Sequence, residues 1–142
     1  MRVEVDLPVL ITMGAVFAAF MLGVRLLEAV TERLRSIRFI KSVHTIIFVP
    51  LSGLLFVLVY EVVADRITYF TWVAVATFLA EGVVLATNNG RCPLTKYAER
   101  LGSTHGQITD FFFPKWFADN VFRVYGGLFA VSLVFLVIRL LR

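Results

Sequence analysis

A chain of 142 residues is short enough to be one domain, but 59% hydrophobic side chains and a mean hydropathy of +0.85 make it too apolar for a soluble domain of this size. The net charge of +4 accompanies long apolar runs, which favours contact with anionic lipid over nucleic-acid binding. A single cysteine excludes an intramolecular disulfide, so no oxidising compartment is indicated.

Four apolar runs of about twenty residues are each long enough to cross a bilayer. They cover approximately 8–30, 43–64, 67–87 and 121–141. Because hydrocarbon offers no water to the backbone, only a helix of this length satisfies its own hydrogen bonds there. A soluble four-helix core would need polar outer faces at helical spacing, and these runs have none. The sequence therefore predicts an all-α, polytopic membrane protein, with residues 1–142 as a single transmembrane helical-bundle domain.

The distribution of Lys and Arg predicts the orientation. If the helices alternate in direction, most of the 14 basic residues fall on one side of the membrane, namely Arg25, Arg33, Arg35, Arg38, Lys41, Arg91, Lys96, Arg100, Lys115 and Arg123. Basic residues concentrate on the cytoplasmic side. We therefore expect connectors 31–42 and 88–120 in the cytoplasm and both termini outside, in the plasma membrane of a prokaryote.

Small residues recur at every fourth position in three of the runs. The stripes are Ala15, Ala19 and Gly23 in the first run, Ala76 and Ala80 in the third, and Gly126 and Ala130 in the fourth. Such stripes let a second helix backbone approach closely. We expect them to be packing faces, and the expected partners are the lipid bilayer together with other membrane subunits or a homo-oligomer.

Glu81 lies inside the third apolar run, about a turn and a half from its cytoplasmic end. An unpaired carboxylate there is costly, so Glu81 should be paired, protonated or next to an aqueous cavity. Arg25 lies at a comparable depth in the first run. The sequence predicts a structural ion pair between Arg25 and Glu81, with a proton-handling or ligand-binding carboxylate as the alternative.

The only long polar interval is the connector 88–120. Gly90 suits a helix cap with positive φ, and Pro93 suits the first position of a new helix. From Pro93 to Leu101 the apolar and charged residues fall on opposite sides, and Gly102 ends the pattern. The sequence predicts a short amphipathic interfacial helix between the third and fourth transmembrane helices.

The segment from Glu81 to Thr95 contains the motif Cys92-Pro-Leu-Thr, and the segment 108–114 ends an aromatic run in proline. Together they resemble an uncharacterised family of small bacterial four-helix membrane proteins, a domain of unknown function. Members often have a Glu-His pair where this chain has Thr109 and Asp110, a departure that removes a potential histidine ligand. The resemblance implies a four-helix membrane fold and no established activity.

Five side chains form a candidate functional cluster at the inner boundary: His44, Glu81, Cys92, His105 and Asp110. Two histidines could ligate a haem b, but such ligands normally face each other across a bundle, and His105 lies in a Gly-flanked loop. No Cys-x-x-Cys or His-x-x-x-His spacing indicates a metal site. A reactive Cys92 would need a nearby base, and an inert thiol is the competing interpretation. No metal or cofactor is therefore predicted, and no catalytic residue is assigned.

Two functions of different classes remain. The sequence has small-residue stripes for helix packing but no recognisable set of catalytic residues. This favours a structural or accessory membrane protein that packs within or against a membrane complex. The alternative is a redox or lipid-handling membrane enzyme with a His/Glu/Cys pocket at the inner leaflet. The sequence specifies neither a reaction nor a substrate.

Overall fold

The computed structural model describes residues 6–34, 37–90, 92–102 and 115–142, and these ranges contain helices and short connections but no strand. The helices are α1 (Leu7–Leu34), α2 (Ile37–Val63), α3 (Tyr69–Thr87), α4 (Pro93–Arg100) and α5 (Lys115–Leu140). Among the described residues, α1, α2, α3 and α5 each contain a stretch long and apolar enough to cross a membrane. The predicted all-α fold with four such helices is confirmed.

The helix bounds differ from the predicted runs mainly at the starts of α2 and α5; α5 begins at Lys115, as far before its predicted start at residue 121 as α2 begins before residue 43. α2 begins at Ile37, more than a turn before the predicted start at residue 43, and includes Arg38 and Lys41. Long basic side chains can extend along a helix toward polar headgroups, so an α-helix does not have to end where its apolar run ends. The helix is therefore longer than hydropathy alone indicates.

The core lies between α2, α3 and α5. It consists of Leu55, Leu58 and Val62 from α2, Ala74 and Val75 from α3, and Leu136 from α5. α2 packs against α3 and α5, while α1 packs mainly against α3, which gives the spatial order α1, α3, α2, α5. The closely packed half of the bundle is therefore the half near the α2–α3 turn.

Two hydrogen bonds and an ion pair hold the end of the bundle at the α2–α3 turn. The carboxyl group of Glu61, only 7% exposed, accepts hydrogen bonds from the hydroxyls of Thr68 and Thr71. Arg139 in the last turn of α5 forms an ion pair with Asp65, with Nη1 and Oδ2 2.9 Å apart. The turn is thus tied to the start of α3 and to the end of α5.

α1 packs with its bulky face and leaves its small-residue stripe exposed. The partly buried side chains recur at helical spacing and include Met13, Val16, Phe20, Val24 and Leu27. The residues of the small-residue stripe, in contrast, are all exposed: Ala15, Ala19 and Gly23. Within the chain this stripe is not a packing face, because the bulky side chains on the other side offer more atoms for dispersion contacts.

The small-residue stripe of α3, in contrast, is buried. Ala76 and Ala80 are 2% and 0% exposed, on the face of the helix opposite Ala74 and Val75, which belong to the core with α2. Because α1 is the other helix packed closely on α3, we place this stripe in the α1–α3 contact. The corresponding residues of α5 are exposed, namely Gly126 and Ala130.

Candidate functional site

The connection from α3 to α4 positions Cys92. The backbone N–H of Gly90 donates to the carbonyl of Leu85 at 2.8 Å, and Asn89 and Gly90 have φ angles of 58° and 72°. Glycine adopts this left-handed conformation without strain, and asparagine tolerates it better than most residues. The chain therefore turns sharply after α3, and Cys92 becomes the N-cap of α4. Pro93 is the first residue of this helix, as predicted.

α4 is fixed in place by its apolar side. Leu94 and Ala98, 4% and 0% exposed, form a small core with Ile40 of α2, and Leu27 of α1 packs against it. Arg100 on the other side is exposed. The predicted short helix with one apolar and one charged side is present, and its packing holds Cys92 against the end of the bundle.

A cavity of about 650 Å³ lies between the four long helices at the α4 end of the bundle. Its walls are mostly apolar and include two aromatic pairs. The ring centroids are 5.5 Å apart for Phe48 and Tyr125 and 5.2 Å apart for Phe78 and Phe129. A volume of this size is within the range of sites for small organic molecules. The bundle is thus closely packed at the α2–α3 turn and hollow near α4.

Besides the phenol of Tyr125, four ionisable side chains line this cavity: Glu28 from α1, His44 from α2, Glu81 from α3 and Cys92 at the start of α4. The Sγ atom of Cys92 lies 3.9 Å from Nδ1 of His44. The structure therefore brings together three members of the predicted cluster, His44, Glu81 and Cys92. The other two, His105 and Asp110, lie outside the described residues.

The predicted ion pair between Arg25 and Glu81 is not formed in the part of the chain that the structure describes. Arg25 is exposed on α1, whereas Glu28, three residues later, is partly buried and lines the cavity with Glu81. Three residues correspond to a difference of about 60° around a helix, so Arg25 lies on the exposed side of the position that reaches the cavity. Arg25 and Glu81 are at comparable depth but do not face each other.

Glu28 was missed by the sequence analysis, although a signal for it exists. Phe20, Val24 and Glu28 follow one another at every fourth position on α1, and all three line the cavity. A carboxylate that continues the bulky apolar stripe of a helix projects in the same direction as that stripe. The polar side chains that line the cavity therefore include two carboxylates from neighbouring helices, Glu28 of α1 and Glu81 of α3.

We expect Cys92 to react slowly with alkylating reagents. Burial raises the pKa of its thiol, the nearby charges of Glu81 and Glu28 raise it further, and the N–H groups of Leu94 and Thr95 oppose these effects. Only the thiolate is nucleophilic. A raised pKa leaves less thiolate at neutral pH, so the rate of alkylation by iodoacetamide should rise at a higher pH than for an ordinary cysteine.

The measurement compares rates across pH for Cys92 in the folded protein and for the single cysteine of a Cys92→Ser, Arg100→Cys variant, where the new thiol is exposed. Glu81→Gln should shift the profile of Cys92 toward lower pH, because it removes one negative charge. Coincident profiles for the buried and the exposed thiol would contradict the expected effect.

Within the described ranges, no three His, Cys, Asp or Glu side chains form a group that could hold a metal ion. His44 is the one histidine of these ranges, so the pair of axial haem ligands considered from the sequence would also require His105, which is not described. The chemistry that these ranges present is therefore hydrogen bonding, acid–base chemistry and a thiol beside an imidazole.

Comparisons with family models, with curated proteins and with solved structures give no match to this chain. The resemblance to the four-helix family, based on the Cys92-Pro-Leu-Thr motif, therefore stays a prediction. A fold alone does not specify a function, so the function has to follow from the chemistry of the cavity.

Proposed function

We propose that this protein binds an amphiphilic membrane molecule in the cavity between its four long helices. The apolar part of the molecule occupies the aromatic and aliphatic interior, and its polar head meets the side chains of Glu28, His44, Glu81 and Cys92. This corresponds to the lipid-handling alternative from the sequence. The observation that carries the proposal is the cavity itself, about 650 Å³ in volume and polar near α4.

Physical chemistry favours an amphiphile over a purely polar or purely apolar ligand. A polar molecule would lose its hydration without finding partners along most of the wall. A purely apolar molecule would leave the ionisable side chains without hydrogen-bond partners. An amphiphile places its apolar chain against the apolar wall and its polar head at the ionisable side chains. At this polar end the thiol of Cys92 lies beside the imidazole of His44, so both groups can hydrogen-bond to the bound head.

Filling the cavity should abolish binding. We expect Gly126→Trp to reduce binding of a photo-crosslinkable lipid analogue by about tenfold or more, because the indole occupies space that the acyl chain needs. Labelling is measured by intact-protein mass spectrometry on protein reconstituted in phosphatidylcholine vesicles. Protein purified in mild detergent is also extracted with organic solvent to identify any co-purified lipid.

Gly127→Trp is the matched control. Gly126 and Gly127 are both exposed, and a Cβ added at either would meet no atom within 4 Å, but only Gly126 lines the cavity. Both variants should therefore fold, and Gly127→Trp should bind normally. Equal labelling of the two variants, or no labelling of the unmodified protein by any lipid analogue, would overturn the proposed function.

We propose that the membrane is the plasma membrane of a prokaryote, with both termini outside and the α4 end of the bundle facing the cytoplasm. The excess of Lys and Arg in connectors 31–42 and 88–120 supports this orientation. In a Cys92→Ser background, Arg66→Cys should react with an impermeant maleimide in intact cells, and Arg100→Cys only after permeabilisation. Both positions are exposed. The reverse labelling pattern would invert the orientation.

A second candidate function is an accessory subunit that packs against another membrane protein or a second copy. The exposed small-residue stripe of α1 favours it: Ala15, Ala19 and Gly23 are not buried by any of the described helices. Under this alternative, Ala19→Leu should disrupt a complex recovered in mild detergent. A protein that migrates as a monomer before and after the substitution would argue against it.

A further inference from the structure

The polar end of the cavity is acidic. Of its described lining residues, Glu28 and Glu81 carry carboxyl groups, and none is a lysine or an arginine. This is unusual for a protein with a net charge of +4, whose cations outnumber its acids. Among these described residues, the head of a bound amphiphile therefore meets carboxyl groups and no Lys or Arg side chain.

Neither carboxyl group has a cationic partner in the described part of the chain. The ion pair found there joins Arg139 to Asp65 at the opposite end of the bundle, and Arg25 is exposed outside the cavity. Carboxylates in a low-dielectric site are strongly destabilised unless a counter-charge is present. Two carboxylates that face one space also repel each other, so a single cation between them relieves both costs.

The rest of the lining decides which kind of cation fits. A metal ion is a poor candidate, because the described residues contain no group of three His, Cys, Asp or Glu that could ligate it. The walls beyond the carboxylates are formed by side chains such as Phe48, Phe78 and Phe129. A small hydrated ion gains nothing from these walls, whereas an ammonium group with an attached hydrocarbon chain uses both the acids and the aromatic rings.

We propose that the amphiphile bound in this cavity carries a cationic amine head, held between Glu28 of α1 and Glu81 of α3, with its hydrocarbon chain among the aromatic side chains. This inference rests on the proposed function and adds the chemical class of the ligand. An ammonium group donates up to three hydrogen bonds, and three acceptors line this cavity: the two carboxylates and the imidazole of His44.

The experiment compares three photo-crosslinkable probes with the same straight hydrocarbon chain and a primary amine, an alcohol or a carboxylic acid as the head. The protein is reconstituted in phosphatidylcholine vesicles at pH 7, where an alkylamine is charged. Concentration-dependent labelling is measured by intact-protein mass spectrometry. We expect the amine to bind about tenfold or more tightly than the alcohol, since a charge-assisted hydrogen bond is stronger than a neutral one, and the acid to bind most weakly.

Glu28→Gln and Glu81→Gln keep the shape of the side chains and remove one charge each, so each should reduce the preference for the amine over the alcohol. Asp6→Asn, an exposed position at the other end of α1, controls for net charge and should leave the preference unchanged. Equal binding of amine and alcohol, or a preference that survives both glutamine variants, would overturn the amine inference alone. Failure of all three probes to bind would instead overturn the proposed function.

Discussion

Glu61→Ala should lower the free energy of unfolding by about 3 kcal/mol, because it removes the acceptor of two hydrogen bonds, one of them buried. The carboxyl group accepts from the hydroxyls of Thr68 and Thr71, and Glu61 and Thr71 are 7% and 0% exposed. Loss of the acceptor leaves polar groups at the α2–α3 turn without their partner. The measurement is reversible unfolding in mixed micelles of mild and denaturing detergent, followed by circular dichroism.

Glu61→Gln should have a smaller effect than Glu61→Ala, because an amide oxygen can still accept from one of the two hydroxyls. Tyr60→Phe is the control, since Tyr60 is the preceding residue of α2 and is 61% exposed. It should change stability by less than about 0.5 kcal/mol. If Glu61→Ala were as mild as Tyr60→Phe, the hydrogen bonds at this turn would have no role in holding α2 to α3.

A double-mutant cycle with Thr71→Val separates the hydrogen bond from the other effects of each substitution. Thr71 also accepts a hydrogen bond from the backbone N–H of Thr68, so its hydroxyl links the carboxyl group of Glu61 to the N-cap of α3. The two substitutions should therefore be less damaging together than the sum of their separate effects. Additive effects would show that the residues act independently.

The role of Glu61 could not be predicted from the sequence, although the helix that contains it could. Hydropathy and length predict the four long helices, because a chain that crosses a bilayer must hydrogen-bond its own backbone N–H and C=O groups, and a helix does so. The hydrogen bonds of Glu61 depend on the conformation of the turn, in which Asp65 has a φ of 57° and Thr68 caps α3. The spacing of apolar residues along the sequence does not specify the conformation of such a turn. The hydrogen-bond partners of a polar residue near a helix end therefore cannot be predicted from that spacing.

The sequence predicted some residues of the candidate site and missed others, for a related reason. His44, Glu81 and Cys92 could be grouped from the sequence, because alternating helices bring the end of α3 and the start of α2 to the same side. Depth alone suggested Arg25 as the partner of Glu81, but the rotation of α1 places Glu28 at the cavity instead. The depth of a residue in the membrane follows from its position along the helix. The rotation of the helix about its own axis follows from packing, and the sequence constrains it only through the spacing of bulky residues.

The rotation of α1 against α3 also leads to the second large expected effect on stability. Ala80→Leu should destabilise the bundle by about 2 kcal/mol or more, because the larger side chain has no free space in a closely packed contact. Ala80 is 0% exposed in the stripe that we place against α1, whose packing face presents bulky side chains such as Phe20 and Val24. The added carbons should push α1 away from α3 and also disturb the cavity that both helices line.

Ala19→Leu provides the matched control, since it adds the same side-chain atoms at an exposed alanine of α1. In the isolated chain it should leave the unfolding transition within about 0.5 kcal/mol of that of the unmodified protein. Unfolding in mixed micelles and lipid-probe labelling of both variants test this contrast. If Ala19→Leu were the more damaging substitution, the small-residue stripe of α1 would be in contact with a second protein surface. That outcome would favour the accessory-subunit function, because lipid chains can rearrange around an added isobutyl group and a packed helix cannot.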